Sequence, residues 1–372
     1  MKIFILLIFF ISLVNISNAT IRRVGYIATI QPVAGFDYNN FQGAHDASAT
    51  GDTIQLYPST TGSFTYTGTI SKTLVILGPG FFTNSFTLAS GEYANSNLQN
   101  MAGSIYSCTF NIDLGSTGTV IEGINGLTLN TVDRVDALNN ISIYRCRNVS
   151  LSFVNSGVCN NWTVGQCYGV TIVQSGPSNG FTGNRTINNL NITNSVIFSN
   201  INLSTSPTGT YTGNTIYNSN FLGGSSIYLN AALFTIQNCI FEVQTFSGVS
   251  NVTFKNNLTT QSATGNPIST NPGGSGNVFN VNLSSVYVGY PTNSNYSPDA
   301  RFQLIPGGGN PANNGGLVPN TATVTNCGIY GSTLPYKLSG IPPIPVYYQL
   351  GAPSAVTTGS NYTVTFSVRS NN

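Results

Sequence analysis

Residues 234–242 read FTIQNCIFE. Phe234 and Ile236 alternate with polar residues, as on a strand with one face buried, and the chain then runs into Asn238-Cys239 before apolar residues resume. The same frame (apolar, any, polar, small, any, apolar) recurs along the chain. It appears as IYSCTF from Ile105, INGLTL from Ile124, IYRCRN from Ile143 and VGQCYG from Val164. It continues as ITNSVI from Ile192, IYNSNF from Ile216, IQNCIF from Ile236 and FKNNLT from Phe254. Successive copies are 19, 19, 21, 28, 24, 20 and 18 residues apart. A period near 20 residues with variable insertions predicts a solenoid in which one copy is one coil and the longer copies carry loops.

Within the frame, period-two pairs such as Ile141/Ile143, Trp162/Val164, Leu190/Ile192 and Val252/Phe254 predict strands with those side chains turned inward. Asn194, Asn218, Asn238 and Asn256 stand at the same place in four successive coils, and asparagine tolerates the positive φ that a sharp corner needs. Stacked about 4.8 Å apart, their amides are expected to bond from coil to coil. The next position holds Cys108, Leu127, Cys146, Cys167, Ser195, Ser219, Cys239 and Asn257. It asks for a small side chain turned in at the corner, so four of the six cysteines are expected to be stacked, buried and free; a disulfide such as Cys146–Cys167 is the competing reading. Cys159 and Cys327 lie outside the frame.

Composition agrees with a repeat array. Only 6% of residues are charged, against the usual ~25%, while 19 Tyr and 21 Phe argue against disorder. The surface must therefore be built of Asn, Ser, Thr and Gly. A formal charge of +2 leaves no basic patch for nucleic acid. The opening MKIFILLIFFISLVNISNAT has a positive start, an apolar run and a small-residue cleavage site, which predicts a secretory signal over 1–19 and a secreted or cell-surface protein. No later stretch is long and apolar enough to predict a transmembrane segment.

These residues together resemble the right-handed parallel β-helix proteins of the pectin-lyase-like superfamily. FQGAHDASATGDTIQLYPSTTG (41–62) is similar to that family's short N-terminal capping helix and first strand, and SKTLVILGPGFF (71–82) to an early coil. The C-terminal stretch resembles that of uncharacterised secreted bacterial β-helix proteins. The expected fold is therefore all-β: a right-handed parallel β-helix over 20–290 with an N-terminal cap, a loop-rich wrap over 291–345 across the last coils, and a terminal strand segment over 346–372. The scaffold carries enzymes, adhesins and structural proteins alike, so it does not decide function.

Chemistry has few groups to work with. His45 is the single histidine and falls in the cap helix, which excludes a multi-histidine metal site in the coils. Asp46 and Asp52 are expected to cap that helix and its exit turn. Glu242 stands alone on an outer face, and Asp299 follows a proline in a loop. Glu122 precedes Ile124 where other coils are apolar; a bulge at Gly123 would turn Ile121 inward and Glu122 out to solvent. One constellation remains: Asp113, Asp133 and Asp136 with Arg134 and Arg145 as counter-charges. Its plain reading is a surface ion-pair patch. Its alternative is a lyase site, with calcium as the only cofactor that reading would call for. The expectation is a non-catalytic secreted protein that is structural, adhesive or glycan-contacting, whose partner is an extracellular polysaccharide or cell-surface glycan. The alternative is a divergent polysaccharide lyase or glycoside hydrolase. A third idea, an ice- or crystal-binding face of aligned threonines, rests on SFTYTGT (63–69).

Overall fold

The structure is a computed structural model. It describes residues 19–25, 37–57, 65–81, 107–132, 136–154, 157–175, 185–198, 200–203, 211–224, 226–229, 233–343, 345–351 and 365–370. Residues 1–18 of the signal expected over 1–19 lie outside the described residues.

The chain winds as a parallel β-helix with three sheets. Sheet A has ten strands in sequence order, from Ile21–Val24 to Val252–Lys255. Its inward column runs Ile54, Ile76, Ile121, Ile143, Val164, Ile192, Ile216, Ile236, Phe254, each fully buried. Sheet B follows at a corner and includes Ser107–Ile112, Leu127–Thr131, Arg147–Val154 and Tyr168–Ser175. Sheet C is short, with Ala137–Asn139, Gly157–Asn160, Arg185–Asn188 and Tyr211–Thr212. The four coils with a sheet-C strand thus run A, corner, B, loop, C, corner, and return to A one level higher. No helix among the described residues is long and apolar enough to cross a membrane.

Both corners depend on left-handed backbone. Between A and B the column is Gly123, Arg145, Gln166, Asn194, Asn218, Asn238, Asn256 and Gly276, with φ between 47° and 72°. Between C and A it is Gly118, Asn140, Asn161, Asn189 and Gly213. Glycine and asparagine dominate because they tolerate this region at least cost. A coil-to-coil amide ladder is present at the C–A corner, and not at the Asn194–Asn256 column where it was expected: Asn161 Nδ2 donates to Asn140 Oδ1 at 3.0 Å and Asn189 Nδ2 to Asn161 Oδ1 at 2.9 Å. A second ladder, Asn139–Asn160–Asn188, runs beside it at 2.9 and 3.0 Å.

The residue after the A–B corner is small for a hydrogen-bonding reason. Its side chain accepts the N–H of the equivalent residue one coil earlier: Cys167 N donates to Ser195 Oγ (3.1 Å), Ser195 N to Ser219 Oγ (3.3 Å), and Cys239 N to Asn257 Oδ1 (2.9 Å). Ser195, Ser219, Cys146, Cys167 and Cys239 also donate to the carbonyl two residues before them. Thiol, hydroxyl and amide all fill this role, so the position tolerates their exchange. All six cysteines are free and buried, and burial raises the thiol pKa of Cys327 to about 12.

Two copies of the frame need correction. Sheet A pairs Ile121, not Ile124, with Ile143, and sheet B pairs Cys108 with Leu127. Gly123 and Gly126 both take positive φ, so two turns follow each other, and matching on the second shifts the register by three residues. Cys108 is therefore an inward residue of a sheet-B strand, while Cys146, Cys167 and Cys239 are the corner cysteines.

The N-terminal end is closed by helix α1 (Phe41–Ala47), whose Phe41, Ala44 and His45 are buried. Phe41 stacks on Phe110 with centroids 4.3 Å apart and fits only because Gly68 has no Cβ; a Cβ there would lie 2.6 Å from the Phe41 ring. The helix is capped by Asn40, whose Oδ1 accepts from Gly43 N, and not by Asp46, which accepts from Gln42 and meets His45. Asp52 does hold the exit turn, accepting from Ala49 N and Thr20 N and pairing with Arg22 at 3.3 Å.

The C-terminal wrap does more than cover the last coils. From Ala312 to Pro342 it runs back down the A–B corner toward the N-terminal end. Asn238 meets Leu317, Asn218 meets Asn326, Asn194 meets Ile329 and Gly331, Gln166 meets Pro335, and Arg145 meets Ile341. The corner amides expected to bond coil to coil here bond mainly to this strap. Under it lies a second apolar core against the outer face of sheet B, including Tyr168, Val196, Ile240, Leu258, Tyr287, Phe302, Cys327, Ile329 and Tyr336. Asp299 is wholly buried there. Its carboxylate accepts from Ser297 Oγ (2.6 Å), Ser339 N (2.7 Å) and Tyr336 Oη (3.3 Å). An antiparallel hairpin, Pro345–Gly351 with Thr365–Ser370, ends the described chain.

Candidate functional site

The acidic constellation read from the sequence does not assemble around Arg145. Asp113 ends a sheet-B strand, where its Oδ1 accepts from Leu114 N at 2.7 Å. The register sets it beside Val132, one residue short of Asp133. Asp133 and Arg134 lie outside the described residues. Asp136 is exposed just before the sheet-C strand Ala137–Asn139. Arg145 sits at the other end of sheet B, on the order of 20 Å away along the strands. Its Nε donates to Gln166 Oε1 and its Nη1 to Ile341 O, both at 3.0 Å. Its fork therefore serves the strap. Among the described residues no group of three or more His, Cys, Asp or Glu side chains is placed to hold a metal ion.

A different site forms on the outer face of sheet A, where the strap crosses it. A cleft of about 410 Å³ is lined by Glu122, Tyr144, Arg145, Thr163, Gly165, Gln166, Asn191 and Thr193 from the coils and by Thr333, Leu334, Pro335 and Lys337 from the strap. The strands place these groups by simple alternation. Glu122, Tyr144, Gly165 and Thr193 are successive outward residues of one column, and Thr163 and Asn191 belong to the next. Gly165 is required by Tyr144, because a Cβ at 165 would sit 2.6 Å from the tyrosine ring. The ring thus packs closely against the backbone of the next coil.

Glu122 faces outward, as expected, with Ile121 fully buried on the other side, but Gly123 makes the corner that ends the strand and not the expected bulge. It does not reach open solvent. The strap leaves it half-buried, and its Oε2 is enclosed with no hydrogen-bond partner in the protein. Burial raises its pKa above the usual carboxylate value, and the positive charge of Arg145 opposes that rise. Burial likewise raises Tyr144. The sequence held one signal of this site, a glycine inside a strand at 165, which marks a close approach. The roof comes from residues 333–337, distant in sequence, and no local pattern announces it.

Elsewhere the isolated charges are absorbed by structure. Glu242 accepts from Gly223 N and Tyr290 Oη through short hydrogen bonds. His45 is 2% exposed and accepts from Ser71 N through Nε2 at 3.1 Å, which is a core role. Against known proteins, the sequence matches no family model and no curated protein.

Proposed function

We propose that this protein is a secreted β-helix of the pectin-lyase-like kind that binds an extracellular glycan without cleaving it, and that the sheet-A cleft is where it does so. The observation that carries the reading is the make-up of that cleft. An aromatic ring held against the coil surface offers an apolar contact for a sugar ring, while Thr163, Asn191 and Thr193 offer hydroxyl and amide groups around it. Sequence features support the setting: the apolar leader at 1–19 and a surface almost free of charge.

The hydrolase alternative draws on Glu122, because a carboxyl group with a raised pKa suits a general acid. Glycoside hydrolysis by the usual route also needs a second carboxylate, and among the described residues lining the cleft Glu122 is the only one. A lyase would need a free base or a charge-neutralising cation at the sugar, and Arg145 is engaged with Gln166 and Ile341.

The test is calorimetric titration of the full protein with a panel of acidic and neutral oligosaccharides. Binding by at least one, weakened about tenfold or more by Tyr144→Ala without a change in melting temperature, is the expected result. New reducing ends or unsaturated products, abolished by Glu122→Gln, would overturn the non-catalytic reading.

A further inference from the structure

Asparagine builds the corners of this fold, and it also recurs in Asn-x-Ser/Thr, the triplet that accepts an N-linked glycan in exported proteins. The coils sort these triplets by what each amide already does. Asn257-Leu258-Thr259 is wholly buried, and Asn257 Nδ2 donates to Ile236 O at 2.9 Å and to Asn277 Oδ1 at 3.1 Å. Asn140 and Asn161 are bonded amide to amide in the C–A ladder. Asn148 lies inside a sheet-B strand, packed against Gly169 of the next coil. Asn191 lines the sheet-A cleft and accepts from Thr215 Oγ1 at 3.0 Å.

Two triplets differ, Asn251-Val252-Thr253 and Asn282-Leu283-Ser284. Asn251 is exposed in the turn that enters the last sheet-A strand, and Asn282 is exposed at the cap of a 3-10 turn, Leu283–Ser285. Neither Nδ2 makes a hydrogen bond within the protein. At Asn282 the triplet's own serine holds the amide oxygen: Ser284 Oγ and N donate to Asn282 Oδ1 at 2.8 and 3.1 Å. Beside Asn251, a small hollow of about 250 Å³ is lined by Thr253 and by Leu233, which is 53% exposed.

We propose that Asn251 and Asn282 carry N-linked glycans. In the step, the asparagine Nδ2 loses a proton and bonds to the anomeric carbon of an oligosaccharide carried on a lipid diphosphate, and the lipid diphosphate leaves. The transferase and this donor belong to the export route, so the assignment rests on the export proposed above and not on the sheet-A cleft. A glycan at Asn257 would have no room in the folded corner, whereas glycans at the two turns are accommodated. They supply the hydration that a surface with only 6% charged residues lacks, and the one at Asn251 stands beside exposed Leu233.

Peptide mapping and intact-mass measurement of the protein secreted by its own cells test the assignment. Both are made before and after peptide-N-glycosidase treatment in heavy-oxygen water, which turns each glycosylated asparagine into a labelled aspartate. The mass falls on treatment, the label appears at 251 and 282, and Asn161 and Asn257 stay unlabelled. Thr253→Val, which leaves Asn251 in place, abolishes the label at 251 alone and does not change the melting temperature. A chain that starts near Thr20 but has the mass of bare polypeptide overturns the assignment and leaves export standing. Label missing from either turn overturns it at that site, and label at Asn257 overturns the sorting by burial. An unlabelled chain that retains its leader would remove the export itself, and this assignment with it.

Discussion

Glu122 shows how one side chain acquires its character from a partner far away in the chain. Its outward direction was legible in the sequence, because strand alternation sends Ile121 and Glu122 to opposite faces and Gly123 permits the corner that ends the strand. Its burial was not legible, since Pro335 and Lys337 supply the cover. The raised pKa has a stability consequence with a definite sign. The folded state holds the Glu122 proton more tightly than the unfolded chain, whose value lies near 4.5. The neutral form's contribution is therefore complete below that value and is lost as pH rises through the folded pKa. Glu122→Gln removes the loss. Its melting temperature should exceed that of the parent at pH 7 and converge with it below about pH 4. A lower melting temperature at pH 7 would mean that the carboxylate is paired.

At the scale of elements, the corner column and the strap are one device. Periodicity revealed the column, because Asn194, Asn218, Asn238 and Asn256 recur at coil spacing, and positive φ explains why asparagine is chosen. The amide partners stayed hidden. At the C–A corner they are the next coil's amides, but at the A–B corner they are carbonyls of the strap, whose Pro- and Gly-rich sequence has no repeat of its own. One apolar signal pointed to it: Val196, Ile240 and Leu258 face outward from sheet B yet are buried, and an outward apolar column requires cover. Asn238 clamps the strap through both ends of its amide. Its Nδ2 donates to Leu317 O at 2.8 Å and its Oδ1 accepts from Leu317 N at 3.1 Å. Asn238→Ala leaves the Leu317 N–H unpaired, leaves the Leu317 carbonyl to Gln237 Nε2 alone and puts a less tolerant residue at φ 57°, so stability should fall by about 1–3 kcal/mol. Hydrogen exchange should locate the effect, with protection lost at Leu317 and Gly328 and kept at Ile236. Equal loss at Ile236 would show that the coil itself, and not the strap, depends on this amide.

For the whole molecule, the architecture was readable because a solenoid repeats its own evidence: each coil restates the inward Ile or Val, the left-handed corner and the small hydrogen-bonding residue after it. The register failed only where Gly123 and Gly126 offered two corners in succession. The sheet-A cleft was not readable, because it forms where the coils meet a strap of unrelated sequence. The central claim is that the chain climbs one level per repeat, and the outward column of sheet A gives a ruler for it. Ser142, Thr163, Asn191, Thr215, Thr235 and Thr253 are neighbours in register along that column. Spin labels at Ser142 and Thr253, five levels apart, should lie at about 24 Å, and moving the first label to Thr163 should shorten the distance by about 5 Å. A series that does not change by a constant step per repeat, or a Ser142–Thr253 separation beyond about 30 Å where stacked strands give roughly 24 Å, would contradict the account.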